Sequence, residues 1–250
     1  MTQKVSACII TKNEEKNISR CLNSLKWANE IIVVDSGSTD KTVEICKQYG
    51  CKVHLTEWLG YGSTKKLAVN FASNDWIFSI DADEEVSKEL STKIQKMMNS
   101  PKNDGYFVKR KSFYLKKMIH FSGWQNDYPL RLFNKKRGNF NNALVHESVE
   151  IPSNNLCFIE EVIFHYPYQS IDDHINKINL YSSIGAQSLF TNKKRINYLF
   201  PFLNCFYKFI KMYFLKLGIL DGKEGLILAY YSAYGNYLKY SKLWKLQQKK

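Results

Sequence analysis

Short, uninterrupted apolar runs alternate with stretches of helical spacing through the first hundred residues, and this alternation narrows the possible folds more than any other feature of the chain. Val5–Ile10 is a β-rich run, and Glu14–Trp27 follows with Ile18, Cys21, Leu22 and Leu25 at helical spacing. Ile31–Val34 is bare of polar residues, as a strand covered on both faces should be. Ser36–Asp40 reads as a turn, with Asp40 or Thr39 placed to cap a helix over Lys41–Tyr49. Cys51–Leu55 predicts a third strand, Ser63–Ala72 a helix, Trp76–Ile80 a fourth strand and Val86–Met98 another helix. Such alternation builds a parallel, doubly wound α/β sheet that binds its ligands at the carboxyl ends of the strands. Beyond Asp104 the pattern changes. Tyr106–Lys111, Leu130–Asn134, Val145–Ile151 and Val162–His165 read as strands, and Asp172–Phe190 as a helix. A sheet domain over residues 1–167 and a helical appendage over 168–250 are expected.

Of 250 residues, 44% are hydrophobic and only 12 are Gly and 5 Pro, which excludes a disordered or fibrous chain. Six cysteines without a CxxC pair or metal-like spacing read as reduced thiols of an intracellular protein, and the first apolar run is too short for a secretory signal. Charge is uneven. Residues 1–100 carry 13 basic and 13 acidic side chains, whereas residues 193–250 carry 12 basic and 2 acidic. Ile196–Leu217 holds no acid and is mostly Leu, Ile, Phe, Tyr and Met, but its longest uncharged run, Ile196–Tyr207, is broken by Pro201 and is too short to span a bilayer. An amphipathic helix in the headgroup layer is expected, with Lys193–Arg195 and the lysines from Lys239 to Lys250 drawn to anionic lipid. The alternative is that its apolar face packs on the sheet or on Glu224–Tyr240. Basic residues interleaved with aromatics can also hold single-stranded nucleic acid, but that leaves the acidic motifs of the first half without a purpose, and no nucleic-acid partner is expected.

Those motifs are carboxylates at strand ends. Asp35 directly follows Ile31–Val34, where it can meet a base or ribose or simply build the turn with Ser36 and Gly37. Asp81-Ala82-Asp83-Glu84-Glu85 follows the fourth strand. There one carboxylate can face a nucleotide sugar while the other reaches a divalent cation bridging phosphates; hard oxygen donors suit Mg²⁺ or Mn²⁺ rather than zinc. Alternatively these acids open the helix over Val86–Met98, where they would favour its dipole. A phosphatase of the haloacid-dehalogenase type also carries such a motif, but on its first strand rather than its fourth.

Together, Ile9-Ile10-Thr11-Lys12-Asn13-Glu14-Glu15, the stretch from Ile32 to Thr42, Gly60-Tyr61-Gly62 with Lys65, and Asp81–Glu84 resemble the family 2 glycosyltransferases, which have the GT-A fold. Arg131-Leu132-Phe133, Val145-His146-Glu147, His165-Tyr166 and Leu220-Asp221-Gly222 look like the branch that adds glucose to the lipopolysaccharide or lipooligosaccharide inner core. The likeness spans about residues 3–246. It implies a GT-A sheet with a nucleotide-binding half over 1–100 and an acceptor half over 101–167. It also implies roles: Thr11 and Glu14 lining the uridine pocket, Asp35 accepting from the uracil N–H, Lys65 near the base or diphosphate, Asp81 near the ribose, and Asp83, with Asp81, at the metal. The sequence departs from the branch in having Thr64-Lys65-Lys66 after the glycines and in lacking a glycine near Leu115–Lys117.

Moving a sugar from UDP to a hydroxyl with inversion requires a carboxylate base across the sugar from the diphosphate. Glu147 in Val145-His146-Glu147 is the first candidate by its match to the branch, and Asp127 the second, with Trp124 beside it able to stack on a sugar. His146 and His165 can add metal or phosphate ligands or be structural, and Arg131 can meet a phosphate or pair with an acid. The expected protein is a metal-dependent, inverting UDP-sugar hexosyltransferase, peripheral on the inner face of the cytoplasmic membrane, with a lipid-linked saccharide acceptor. Transfer to polyprenyl phosphate or another glycan, and a non-catalytic scaffold on the same fold, are the alternatives.

Overall fold

A computed structural model describes residues 2–141, 147–152 and 154–248. It forms two compact units, Met1–Arg110 with Asp127–His165, and Lys111–Asn126 with Tyr166–Lys250.

The sheet is built from β1 (Val5–Thr11), α1 (Ile18–Ser24), β2 (Glu30–Asp35), α2 (Thr42–Gln48), β3 (Lys52–Leu55), α3 (Tyr61–Phe71), β4 (Trp76–Asp81), β5 (Glu84–Val86), α4 (Lys88–Met97), β6 (Gly105–Tyr114), β7 (Lys117–Met118), β8 (Leu130–Asn134), β9 (Asn139–Phe140), β10 (Val149–Glu150) and β11 (Leu156–Tyr168). Its strand order is β3-β2-β1-β4-β8-β6-β11-β5, with β7 paired to β6, while β9 and β10 form a separate ribbon. The first four strands in this order pair in parallel. β8 is antiparallel to β4 and β6, and β5 is antiparallel to β11.

The bare apolar runs are explained by burial on both faces. Ala7, Ile9, Val33, Phe78 and Ile80 turn to one face, against Ile18 and Leu22 of α1 and Leu90 and Ile94 of α4. Cys8, Ile32, Val34 and Ile77, one residue out of phase, turn to the other, against Ala68 and Val69 of α3 and Phe140. With the strand period of two, each such strand supplies both layers, and every large aliphatic side chain buried this way stabilises by about 1.5–3 kcal/mol.

Several boundaries differ from expectation. α1 begins at Ile18, because Asn13 takes a left-handed φ of 56° and the Lys12–Glu15 loop is tied to the loop after β2. Asn13 N–H donates to Ser38 Oγ at 2.8 Å and Glu14 N–H to Thr42 Oγ1 at 2.8 Å. α2 starts at Thr42, and Asp40, one residue before the cap position, still takes the Thr42 N–H at 3.0 Å. The acids after β4 do not open a helix: Glu84–Val86 is a strand paired with Ile163–His165, and α4 is capped instead by Ser87, which accepts from Leu90 N–H. Of the strand expected over Val145–Ile151, only Val149–Glu150 forms among the described residues; Val145 and His146 lie outside them.

The second unit holds α5 (Ile171–Thr191), α6 (Phe200–Ile210), a π-helical turn over Lys211–Leu215, a 3-10 turn over Gly218–Asp221, and α7 (Gly222–Gln247). Its core gathers Tyr114, Ile119, Met212, Leu228 and Ala229. Buried Asp221 accepts from His120 N–H, Phe121 N–H and the Ser122 hydroxyl at 2.9–3.1 Å, so this part of the Leu220-Asp221-Gly222 motif anchors a loop. Gly225 is obligatory: a Cβ there would lie 2.0 Å from the Gly218 carbonyl oxygen. Among the described residues no helix is long and apolar enough to cross a membrane.

Candidate active site

Strand register sets the frame of the site. Thr11 pairs with Asp35 across β1 and β2, and Ile10 with Asp81 across β1 and β4, so these side chains emerge at one carboxyl edge of the parallel half. Parallel sheets leave that edge open because the chain departs into loops there. Asp35 is buried and its carboxylate accepts from Gly37 N–H at 3.1 Å, from Ser38 N–H at 2.8 Å and from the Ser38 hydroxyl. The turn role is therefore realised. Glu14 lies partly buried in the facing loop, its carboxylate accepting from Asn17 Nδ2 at 2.8 Å. Between them, the hydroxyls of Thr11 and Ser36 are buried without a hydrogen-bond partner. Orphaned polar atoms of this kind are costly unless something else meets them.

At the end of β4 lies an unbroken row of alternating charges. Glu147 Oε1 meets Lys65 Nζ at 2.7 Å, and Lys65 meets Asp81 Oδ1 at 2.8 Å. Asp81 Oδ2 meets Arg131 Nη2 at 2.6 Å, and the same nitrogen meets Glu84 Oε1 at 2.6 Å. Glu84 Oε1 also takes Arg110 Nη1 at 3.0 Å, and Arg110 Nε reaches Asp127 Oδ2 at 2.7 Å. Burial works against the charge on Asp81, but Arg131 and Lys65 outweigh it and hold its carboxyl well below the usual range. Burial likewise opposes the charge on Lys65, and Asp81 overcomes it and raises the lysine. The row joins both base candidates, Glu147 at one end and Asp127 at the other.

Asp83 has its Oδ2 3.6 Å from His165 Nε2. The pairing of β5 with β11, which sets His165 opposite Glu84, brings the histidine to this place. Trp124, partly buried, packs against the core of the second unit. Arg131 pairs with acids, the second of its two expected roles.

Two members of the row were not legible locally. Glu84 looks like a helix-start acid, yet it is fully buried and also accepts from Asp81 N–H at 3.1 Å. Arg110 lies within a strand-like stretch and carries no motif. Glu84 stands between two other acids, Asp83 and Glu85, so nothing local singles it out, and its partners come from β6 and β8, far along the chain.

The Glycosyl transferase family 2 model matches residues 6–158. An uncharacterized glycosyltransferase of Rickettsia typhi is 35% identical over 99% of this chain and 89% of its own length. The lipopolysaccharide core biosynthesis glycosyltransferase LpsC of Rhizobium meliloti is 30% identical over 87% of this chain and 82% of its own. Among solved structures, a TarS fragment from S. aureus in complex with UDP superposes with a TM-score of 0.51 at 17% identity, covering 99% of this chain and 92% of that one. The fold is accordingly the expected α/β GT-A arrangement.

Proposed function

The chain belongs to glycosyl transferase family 2, and from that premise we propose that it transfers a hexose, glucose, from a UDP-sugar to the core saccharide of lipopolysaccharide or lipooligosaccharide with inversion. The observation that carries this is the row from Glu147 through Lys65 to Asp81, set beside Asp83 at the open edge of the sheet. UDP is the nucleotide bound by the TarS fragment of the same fold, and the LpsC name supplies the acceptor class.

In this reading Thr11, Glu14 and Asp35 line the uridine pocket, and the unpartnered Thr11 and Ser36 hydroxyls take up the nucleoside's polar atoms. Asp81, immobilised by Lys65 and Arg131, faces the ribose, while Lys65 leans toward the diphosphate. A divalent cation suits this edge of the sheet. Four carboxylates against three cations leave the row with one surplus negative charge, Asp83 makes it two, and a diphosphate would meet repulsion there. Asp83, with Asp81, would hold Mg²⁺ or Mn²⁺, and His165 Nε2 lies 3.6 Å from the Asp83 carboxylate. When bound, the ion offsets charge developing on the departing diphosphate. Glu147 takes the proton of the acceptor hydroxyl, with its carboxylate oriented by Lys65, and Asp127, oriented by Arg110, is the second candidate. The lipid-carried acceptor places this work at the inner face of the cytoplasmic membrane.

Incubation with UDP-glucose, Mn²⁺ and a truncated lipopolysaccharide, followed by mass measurement of the acceptor, tests the proposal. A gain of one hexose in a β-linkage is expected. Turnover restricted to polyprenyl phosphate, or no transfer from any UDP-sugar, would contradict it.

A further inference from the structure

The helical unit presents water with a surface that water disfavours. From Tyr198 to Leu220, every exposed residue except Lys211 and Lys216 is aromatic or aliphatic. Leu203, Phe206 and Leu215 are 67%, 68% and 67% exposed. Phe202, Leu203, Phe206 and Tyr207 share one face of α6, while Asn204 turns to α7 and accepts from Asn236. Contiguous apolar surface of this kind marks a site of docking. Leu217, just past the π-helical turn, takes the left-handed φ of 55° in which helices commonly end, and its N–H donates to the Phe214 carbonyl. It is 48% exposed and extends the apolar surface.

The charge around this face has one sign. Residues 193–220 contain no acid, and Lys193, Lys194 and Arg195 stand exposed ahead of α6. Lys211 lies at the edge of the apolar face, its Nζ 5.8 Å from the centre of the Tyr207 ring. Behind it, Lys208 and Lys239 are partly buried; burial and then a neighbouring lysine lower both. Among the described residues, none of Lys208, Lys211 and Lys239 forms an ion pair. A cationic field without counter-ions beside an aromatic face calls for an extended partner that is apolar inside and anionic at its rim. At 11 residues α6 is too short to cross a bilayer, so it would lie along one.

We propose that α6 and the π-helical turn after it dock the protein onto an anionic lipid bilayer, with Phe202, Leu203, Phe206 and Leu215 entering the headgroup–acyl boundary and Lys211, Lys216 and Lys193–Arg195 meeting lipid phosphates. This adds to the membrane placement suggested above the surface that makes the contact, and it rests on the helical unit alone.

Flotation of the full-length protein with vesicles, without nucleotide or acceptor, tests it independently of the catalytic proposal. Binding is expected to vesicles of phosphatidylcholine mixed with phosphatidylglycerol, to be weaker to phosphatidylcholine alone, and to decline with salt. A Leu203→Ser/Phe206→Ser variant, with its helix content checked by circular dichroism, should lose binding about tenfold or more to both vesicle types. A Lys211→Glu/Lys216→Glu variant should lose about tenfold on the anionic vesicles only. Equal binding by wild type and the Leu203→Ser/Phe206→Ser variant would overturn the proposal. So would a wild-type protein that ignores vesicles and instead forms a concentration-dependent dimer abolished by the same substitutions, since a second copy would then be the occupant.

Discussion

Asp81 and Asp83 are separated by a single alanine. Asp81 is held between two buried cations, and removing its charge leaves Lys65 and Arg131 without their shared partner. Asp81→Asn should therefore destabilise the fold by about 3–5 kcal/mol in urea titrations. Because the Asp81 carboxyl is depressed in the folded state, its contribution is intact above its ordinary value of 3.8 and is lost only as the pH falls below that, through its lowered folded value. For the base, Glu147→Gln should lower turnover by about 10²–10⁴-fold with UDP affinity retained; a near-normal rate, with collapse in Asp127→Asn, would move the role to Asp127. Asp81, Asp83, Lys65 and Glu147 could be singled out from the sequence because their residue types fall at strand ends or in motifs. Glu84 and Arg110 could not, since what defines them is pairing between β5, β6 and β8, and no local pattern encodes it.

Secondary structure followed periodicity where burial is two-sided and departed from it where side chains bind the backbone. β2, β4 and β8 lie within a residue of expectation because most of their residues are apolar and buried. α4 starts two residues later than expected, because buried Arg131 and partly buried Arg110 draw Glu84 inward and leave Ser87 to cap the helix. Ser87→Ala should cost about 1 kcal/mol of stability, read as a shift in urea midpoint. The missing glycine near Leu115–Lys117 has a structural counterpart. Tyr114 pairs with Lys117 across a two-residue turn in which Leu115 and Lys116 take φ values of 54° and 95°. Such turns require positive φ at both positions. Leu115 is retained by packing against the core of its unit, so Lys116→Gly should stabilise the protein by about 1 kcal/mol; a loss of stability would show that the lysine side chain outweighs its backbone strain.

Across the molecule, acid sensitivity has an identifiable source besides the carboxylates. His174 is enclosed by Tyr114, Tyr168 and Tyr231, with its Nδ1 2.9 Å from the Tyr114 hydroxyl oxygen. Burial lowers its pKa from 6.5 to about 4. The unfolded chain takes up this proton before the folded one does, so the histidine's contribution is complete above pH 6.5 and is lost on the way down to pH 4, by up to about 3 kcal/mol. His174→Gln should flatten the stability profile over that interval. The halves of the chain also divide by charge, a neutral sheet region carrying the acidic site and a strongly basic helical tail, and that division was visible in composition alone. The joining of Asp81 to Glu147 through Lys65 was not, because it depends on α3 and the segment before β10 converging on the end of β4. Calorimetric titration of UDP into the wild type and Asp83→Ala, each with and without Mn²⁺, tests the proposed metal-dependent nucleotide site at this edge of the sheet most directly. Saturable binding that needs Mn²⁺ and vanishes in Asp83→Ala is the predicted result; UDP binding of equal strength in both proteins, or none in the wild type with Mn²⁺ present, would contradict it.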